Sequence, residues 1–522
     1  NFIEFLVDSS GRFLIRSRVN PVDCMTQPCW IFRIRILVVL ASFASCLTAA
    51  EKPNILFILT DDQGCSSLGC YGNEKVATPN LDRFAEEGIR FTNAYVTSQC
   101  TPTRASLLTG QHSARNGMWH VIGWYGYPWA PVSEPPFVES LPPESFTIAK
   151  GLRSAGYATT CIGKWHLTNS RYGNYLALNE KDAHLFGFDE APVPPSWDYQ
   201  KVGDKGVGWL TDEALDFIAR KKDQPWFVYL SHHTIHGPVV APEETVQKYR
   251  DLGFPESGLN HAHYLAAIET LDTGVGRLLE GLESMGEADE TIVVFLGDNG
   301  GVDVQYDTAQ FKDGSGKVEQ LQVRERHFSS APLRAGKGSQ YEGGIRVPCL
   351  VRWPQGFEGG RVENTPVHVT DWLPTFLAAA AAETPDDWIV DGENLLPLWR
   401  GEEFEKRPIY FYMPLYDLRW ALTPCAIIRE GKWKLIDYFG DSVDGEGKYL
   451  RGAKVELFDL EEDPGETNEL ASVESEIAEK LQEQLREWMR SVPVPIPGEN
   501  PHYDPERPLK ETKEKPGWYP SI

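Results

Sequence analysis

The chain has 522 residues, of which 41% are hydrophobic and 24% charged, a composition typical of a globular protein that is too long for one small domain. The formal net charge of −25 argues against nucleic acid as a general partner. An anionic substrate would have to be bound by local basic residues, against the overall field.

The first recognisable element is typical of an export signal. Arg33 and Arg35 precede an apolar run over residues 36–47, and small residues at 48–50 offer a cleavage site before Glu51. The run is too short for a stable membrane span. We therefore expect an exported protein, either periplasmic or secreted.

This interpretation divides the N-terminal region in two. Residues 25–50 are the predicted signal peptide with Met25 as the true start, and residues 1–24 are then an extension that is not part of the gene product. Lipidation of Cys46 stays open.

Six cysteines remain after the predicted cleavage, too few and too scattered for a disulfide framework. Cys65 and Cys70 are close enough to pair, but spacing alone leaves that open. Their C-x4-C pattern also lacks the second pair that a structural zinc site needs.

Strand and helix patterns then alternate along the chain. Residues 54–59 form a continuous apolar run, as expected of a central strand, and Thr78 and Pro79 open a helix that reaches Ile89. Further elements are predicted as helices at 146–155, 214–219 and 263–282, and as strands at 157–162, 226–230 and 292–296. This alternation predicts an α/β fold with a large, mostly parallel sheet flanked by helices.

The pattern changes beyond about residue 385. Short strands such as 426–428 and 433–436 alternate with turns. Residues 457–460 precede an acidic stretch, and an amphipathic helix follows at 477–489. We expect a catalytic domain over residues 51–385. A smaller C-terminal α+β subdomain, 386–522, would contain a short antiparallel sheet and an extended tail.

Polar residues follow four of the predicted strands. Asp61 and Asp62 follow the first strand, Lys164 follows a later one, and Asp298 and Asn299 follow the strand that ends at residue 296. Histidines at 232, 233 and 236 occupy the same place after another strand. Because chemistry in parallel sheets gathers at the carboxyl ends of the strands, we expect one shared site.

Oxygen ligands dominate this set. Three carboxylates and one amide suit a hard cation, with Ca²⁺ favoured over Mg²⁺ because the protein supplies most of the ligands. Histidine and thiolate are not needed, which argues against zinc.

The most informative motif is Cys100-Thr101-Pro102-Thr103-Arg104, followed by Ala-Ser-Leu-Leu-Thr-Gly. Pro102 suits the first turn of a helix, whose free N–H groups make an anion site beside Cys100. Arg104 adds a forked donor suited to a tetrahedral oxyanion. For the pentapeptide alone, a buried structural cysteine remains the alternative.

Two further basic motifs complete the set. Lys164 and His166 lie two residues apart and would face the same way in a continuing strand, although this motif alone fits a surface lysine beside a core histidine better. Lys337 lies in the glycine-rich stretch 336–348, which lacks the spacing of a phosphate-binding P-loop.

Together these motifs resemble the sulfatase family, in family order from residue 53 to about 348, with weaker similarity at 456–460. The resemblance implies an alkaline-phosphatase-like fold and a sulfuric ester hydrolase of arylsulfatase type. It also implies that a separate maturation enzyme oxidises Cys100 to formylglycine, the nucleophile.

The resemblance implies roles residue by residue. Calcium would be bound by Asp61, Asp62, Asp298, Asn299 and the modified Cys100. The implied catalytic residues besides Cys100 are Arg104, Lys164, His166, His236 and Lys337. In this assignment the side chains of Arg104, Lys164 and Lys337 bind sulfate. His166 assists the nucleophile, and His236 protonates the leaving oxygen.

Two other functions stay open, a phosphomonoester or phosphonate-ester hydrolase of the same superfamily, and a catalytically silent protein that binds sulfated glycans. Aromatic residues crowd segment 119–129, where they would stack on a sugar or an aryl group, or else pack in the core. We expect a sulfated carbohydrate as substrate. Basic residues in segment 302–334 would line a lid or a leaving-group pocket: Lys312, Lys317, Arg324, Arg326 and His327.

Overall fold

A computed structural model describes residues 3–7, 13–17, 52–169, 171–173, 176–196, 198–308, 320–492, 494–507, 509, 511–515 and 517. Strands β1 (Ile3–Val7) and β2 (Phe13–Ser17) form an antiparallel hairpin in a first unit, and residues 53–522 form a second unit. The predicted signal peptide, 25–50, lies outside the described residues.

The strands of the second unit are, in chain order, β3 (Asn54–Thr60), β4 (Ile89–Tyr95), β5 (Ala158–Gly163), β6 (Trp226–Ser231), β7 (Thr291–Gly297), β8 (Gln305–Asp307), β9 (Gln322–Glu325), β10 (Arg346–Arg352), β11 (Arg361–Glu363), β12 (Val367–His368), β13 (Ile409–Met413), β14 (Cys425–Glu430), β15 (Trp433–Tyr438), β16 (Asp441–Val443), β17 (Tyr449–Arg451) and β18 (Lys454–Asp459).

The α-helices of its described part are α1 (Pro79–Glu87), α2 (Cys100–Thr109), α3 (Ser113–Asn116), α4 (Ile148–Ser154), α5 (Tyr199–Val202), α6 (Val207–Lys221), α7 (Glu243–Asp251), α8 (Ala262–Met285), α9 (Glu342–Ile345), α10 (Trp372–Ala379), α11 (Leu396–Trp399) and α12 (Ser475–Ser491). Short 3₁₀ helices lie at Cys65–Ser67, Gly69–Tyr71, Glu180–Phe186, Val369–Asp371 and Leu418–Trp420.

Eight strands form the large sheet, in the order β11-β4-β10-β7-β3-β6-β5, with β12 also paired to β4. Strand β10 runs antiparallel to both of its neighbours, and the other pairs are parallel. Thr60 pairs with Gly297, and Gly163 pairs with Ser231, so four strands end at one edge of the sheet. The predicted α/β fold with a mostly parallel sheet is confirmed.

Helices cover both faces of this sheet, which explains its continuous apolar strands. Every residue of β3 is buried, and successive side chains point to opposite faces. Phe57 packs on one face against Trp372 and Phe376 of α10. Ile58 belongs to the core on the other face, which includes residues of α1, α6 and α8.

A smaller antiparallel sheet in the order β13-β14-β15-β18 packs against α12. The described part of the C-terminal tail then runs along residues 125–133. Tyr125 N–H donates to Thr512 O at 2.9 Å, and Ser133 N–H donates to Gly498 O at 2.7 Å. The proposed domain boundary at 385/386 stays a prediction.

Two elements differ from the sequence-based expectation. Helix α1 ends at Glu87, and Ile89 begins a strand instead of ending the helix, because Gly88 is extended at φ −126° and ψ −152°. Strand β10 was not predicted, since Pro348 disfavours a strand. In the structure Pro348 lies at an irregularity in the pairing of β10 with β4, where proline is tolerated.

Candidate active site

The strand ends bring the predicted acidic and basic residues together. The Nζ of Lys164 donates to Asp61 Oδ2 at 2.6 Å, and the Nζ of Lys337 donates to Asp62 Oδ2 at 2.8 Å. All four side chains are buried, so both ion pairs are shielded from solvent.

A third ion pair joins helix α2 to the end of β7. The Nη2 of Arg104 donates to Asp298 Oδ2 at 2.7 Å and its Nε donates to the same oxygen at 3.1 Å. The same guanidinium donates to Lys164 O at 3.2 Å and to the hydroxyl of Ser231. Through these four bonds Arg104 fixes the helix against three strand ends.

These contacts set the charges of the carboxylates. Burial alone would raise the pKa of Asp61, but the charges of Lys164, His236 and Arg104 hold it well below its ordinary value. Burial would raise the pKa of Asp62 as well, but the charges of Lys337, His236 and Lys164 together lower it. Burial and the charge of Asp61 raise the pKa of Asp298 to about 6, with Arg104 opposing.

Two buried oxygens of this cluster accept no hydrogen bond from the described residues: Oδ1 of Asp61 and Oδ1 of Asn299. The amide of Asn299 is oriented by its Nδ2, which donates to Asp62 Oδ1 at 2.8 Å. Ligand atoms of Asp61, Cys100 and Asp298 lie within 4.8 Å of one another. Buried, unsatisfied oxygens in an all-oxygen set fit a hard cation.

Cys100 is the first residue of α2, as its motif predicted. Its side chain is buried, and burial raises the pKa of the thiol although Lys164 and Lys337 oppose this. A thiol with a raised pKa is a poor nucleophile at neutral pH.

Asp62 and His166 lie beside the site with left-handed backbones, at φ +60° and +54°. The expectation that residues 164–166 continue strand β5 is wrong, because the strand ends at Gly163. Lys164 and His166 therefore do not share a strand face. Burial and the charge of Lys164 hold the pKa of His166 well below its ordinary value, so its imidazole is neutral at pH 7.

His236, one of the three clustered histidines, faces a carboxylate of the site. Its Nδ1 lies 2.7 Å from Gly237 O, and its Nε2 lies 4.0 Å from Asp62 Oδ2. The charge of Lys337, followed by burial, lowers its pKa. His232 and His233 are fully buried at the preceding positions.

The loop that carries Lys337 is held by contacts to three other parts of the chain. The N–H of Lys337 donates to Gly301 O at 2.8 Å, and the N–H of Gly338 donates to Ser98 O at 2.7 Å. Further along, Glu342 accepts from Lys434 of the smaller sheet at 3.1 Å. The C-terminal sheet therefore helps to hold the loop in place.

The two segments considered for substrate contact have different outcomes. Trp119 and Tyr127 are buried and pack against aromatic residues 412 and 416, so they belong to the core. Trp124, Tyr125 and Trp129 are half-buried, and their contact with substrate stays a prediction. In segment 302–334, Lys312 and Lys317 lie outside the described residues. Arg326 pairs with Asp303, and the role of this segment stays a prediction.

Sequence reasoning missed Ser231 and Lys205. Ser231 ends β6 and its hydroxyl contacts Arg104. Lys205 lies in a loop far from every motif, yet its Nζ donates to His236 O at 2.8 Å. The glycines at 203 and 206 indicate a tight loop in the sequence. They do not indicate which strand end the side chain of Lys205 contacts.

Comparison with known proteins decides the family. The sulfatase family profile matches residues 53–382. The chain belongs to the sulfatase family. A second profile, described as N-sulphoglucosamine sulphohydrolase, C-terminal, matches residues 336–492 of this sulfatase. The family resemblance inferred from the motifs is confirmed.

Curated relatives span most of the chain. Human arylsulfatase A is 31% identical over 491 residues, covering 85% of this sulfatase and 88% of the relative. Human N-acetylgalactosamine-6-sulfatase is 31% identical and covers 70% and 69% of the two chains. Steryl-sulfatase of Mus musculus is 31% identical and covers 71% and 69%. The protein is a sulfuric ester hydrolase that acts on sulfated substrates.

Solved structures agree on the fold. The crystal structure of Ps i-CgsB has a TM-score of 0.64 at 26% identity, covering 84% of this sulfatase and 93% of that chain. The phosphonate monoester hydrolase of Silicibacter pomeroyi has a TM-score of 0.58 at 19% identity, covering 84% and 95%, which shows a common fold alone. None of the described helices of this sulfatase combines the length and apolarity needed to cross a membrane.

Proposed function

We propose that this sulfatase hydrolyses sulfate esters through a formylglycine made from Cys100 by a separate maturation enzyme. The observation that carries the proposal is the position of Cys100, buried at the start of α2 between the carboxylates and the cations of the site. Its raised thiol pKa argues against the unmodified cysteine as nucleophile. Hydrated formylglycine would supply the attacking hydroxyl.

Calcium is the proposed metal, held by Asp61, Asp62, Asp298, Asn299 and the modified side chain at 100. The unsatisfied oxygens of Asp61 and Asn299 support this assignment. When bound, the cation would stabilise negative charge that develops on the sulfate oxygens.

Charge balance supports a sulfate site. Lys164, Lys337 and Arg104 each pair with one carboxylate, so the cluster is neutral in its present form. A divalent cation would leave an excess of two positive charges, matching the two negative charges of released sulfate. We propose that the three basic side chains then contact sulfate oxygens.

Two histidines are the proposed proton carriers. His166 is buried and neutral at pH 7, which suits a base that takes a proton from the side chain at position 100. His236 is the proposed acid for the leaving oxygen. Its Nε2 lies on the side of the site carboxylates, and a bound sulfate would raise its pKa and favour the charged ring.

Sulfated carbohydrate is the proposed substrate class. One relative is named for N-acetylgalactosamine 6-sulfate hydrolysis, and a solved neighbour at 22% identity was determined with D-glucosamine-2-N,6-O-disulfate as its substrate. We further propose export, with residues 25–50 removed, and a division at 385/386 into a catalytic domain and a C-terminal subdomain.

A Cys100→Ala variant tests the mechanism. Wild type and variant, each co-expressed with a maturation enzyme, are assayed with calcium on an aryl sulfate, on the matching aryl phosphate and on sulfated sugars. We expect sulfate release by the wild type and a loss of at least about 10⁴-fold in the variant, at an unchanged melting temperature. Turnover retained by the variant contradicts the mechanism, and a preference for phosphate assigns the protein to the phosphoester hydrolases.

A further inference from the structure

Lys205 is a buried lysine in the loop that leads into helix α6. Its Nζ donates to two main-chain carbonyl oxygens, His236 O at 2.8 Å and Pro238 O at 2.6 Å. Both oxygens belong to the turn that carries the proposed acid, His236. A single ammonium thus ties two points of this turn to a different part of the chain.

The backbone around Lys205 is built to present this side chain inward. Lys205 has a φ of +59°, a left-handed conformation that costs free energy for any residue except glycine. Asp204 stabilises the loop, because its carboxylate accepts from the N–H groups of Gly206 at 2.9 Å and Gly208 at 2.8 Å. In this conformation the side chain reaches the carbonyl oxygens of the 236–238 turn.

Electrostatics connect Lys205 to the site. Burial lowers its pKa to about 8, while the negative charges of Asp61 and Asp62 favour the protonated form. At neutral pH the ammonium is therefore present and able to donate to both carbonyl oxygens.

We propose that Lys205 is a positioning residue that fixes the imidazole of His236 for protonation of the leaving oxygen, an inference that rests on the proposed role of His236. The ring has its Nδ1 at Gly237 O, so Nε2 is the atom directed toward Asp62, at 4.0 Å. Any displacement of the 236–238 turn moves Nε2. Lys205 restrains that turn at both ends.

The supported step has a defined proton balance. A hydroxyl oxygen of the hydrated side chain at position 100 forms a bond to sulfur as the S–O bond to the leaving group breaks, and the electron pair of the broken bond passes to the leaving oxygen. The Nε2 of His236 transfers its proton to that oxygen, and the imidazolium becomes a neutral imidazole. This proton matters most when the leaving oxygen is strongly basic, because a weakly basic phenoxide departs without protonation.

The test is a Lys205→Met variant assayed on a series of aryl sulfates, from 2,4-dinitrophenyl sulfate to phenyl sulfate. General acids contribute about 10²–10⁴-fold, so we expect kcat for phenyl sulfate to fall by about 10²-fold and kcat for the dinitrophenyl ester by less than about 3-fold. His236→Ala is expected to show the same dependence on the leaving group. The double variant is expected to be no worse than His236→Ala, since both changes remove one function.

Matched variants separate positioning from folding. Lys201→Met, four residues earlier in helix α5 and with a side chain that is 83% exposed, is expected to behave as wild type. Lys205→Arg keeps the charge and two or more donors, and is expected to recover most of the lost activity on phenyl sulfate. If the Lys205→Met variant does not fold, Lys205→Gln replaces it. Glutamine meets the same backbone strain at φ +59° but keeps an uncharged hydrogen-bond donor.

The outcomes distinguish the two proposals. The role of Lys205 is overturned if the loss of kcat in His236→Ala depends on the leaving group while Lys205→Met lowers kcat equally for all esters. It is also overturned if the losses of the two single variants multiply in the double variant. If His236→Ala itself shows no such dependence, the proposed role of His236 is wrong and the inference about Lys205 falls with it.

Discussion

At the scale of single residues, the site is a set of buried ion pairs in which no partner is dispensable. Arg104 and Asp298 are both fully buried, and they contact each other through two nitrogens of the guanidinium. Burying either charge alone is costly, whereas replacing both by neutral groups is tolerated. Stability and activity should therefore respond differently to changes at this pair.

An Arg104→Met variant tests this separation. Asp298 would be left buried without its cation, and we expect destabilisation of about 3–5 kcal/mol, seen as a lower melting temperature in the presence of chelator. The double variant Arg104→Met/Asp298→Asn is expected to regain most of the stability but none of the activity. Equal destabilisation of both variants contradicts this account.

Apolar strands whose carboxyl ends meet at one edge predicted where Asp61, Lys164 and Asp298 would lie, whereas Arg104 was singled out by its motif and lies on helix α2. The roles of these residues stay predictions. The sequence did not predict Lys205, which reaches His236 across 31 residues and follows no strand. Nor did it predict the backbone at His166, where a left-handed φ of +54° replaces the expected strand. Both features depend on loop packing, which no local pattern encodes.

At the scale of elements, the ends of β3 and β7 form the proposed cation site. Calcium bound only by the folded state would stabilise it by about 2.7 kcal/mol at a free concentration 100 times the dissociation constant. We expect chelation to lower the melting temperature of the wild type but not of Asn299→Ala, which lacks the unsatisfied amide oxygen. Asn299→Asp keeps an oxygen ligand and should keep the response. Equal responses of wild type and Asn299→Ala would exclude this ligand set.

The carboxyl group of Glu134 predicts how the free energy of unfolding depends on pH. Glu134 accepts from Tyr416 N–H at 2.6 Å, and burial raises its pKa to about 8 from an ordinary 4.5. Between these two pH values the folded protein holds a proton that the unfolded chain has released. The free energy of unfolding therefore falls as the pH rises through this window.

A Glu134→Gln variant should not show this fall in the free energy of unfolding, because glutamine does not ionise. We expect its melting temperature to exceed that of the wild type at pH 8 and the difference to shrink toward pH 5. Glu144→Gln, an exposed change ten residues later, serves as the control. A constant difference between the two pH values would show that Glu134 is ionised in the folded protein.

Elements themselves were predicted unevenly. Strands β3, β5, β6 and β7 and helices such as α8 follow from uninterrupted apolar or amphipathic runs. Strand β10 was missed because Pro348 interrupts its pattern, and β4 because it begins one residue after a helix-ending glycine. In both cases tertiary pairing overrides the local signal.

At the scale of the whole molecule, two sheets meet around one site. The large sheet supplies the carboxylates, and the smaller sheet braces the Lys337 loop through Lys434 and Glu342. Because the formal net charge is −25, the proposed anion site depends on this local cluster of basic side chains to overcome the overall repulsion. Export and the maturation step remain predictions at this scale.

The most direct measurement is the mass of the peptide that contains Cys100, determined across preparations made with different amounts of maturation enzyme and compared with their turnover of an aryl sulfate. The account predicts an aldehyde in place of the thiol and turnover that rises in proportion to the aldehyde fraction. Full turnover by protein in which Cys100 is entirely a thiol would contradict it.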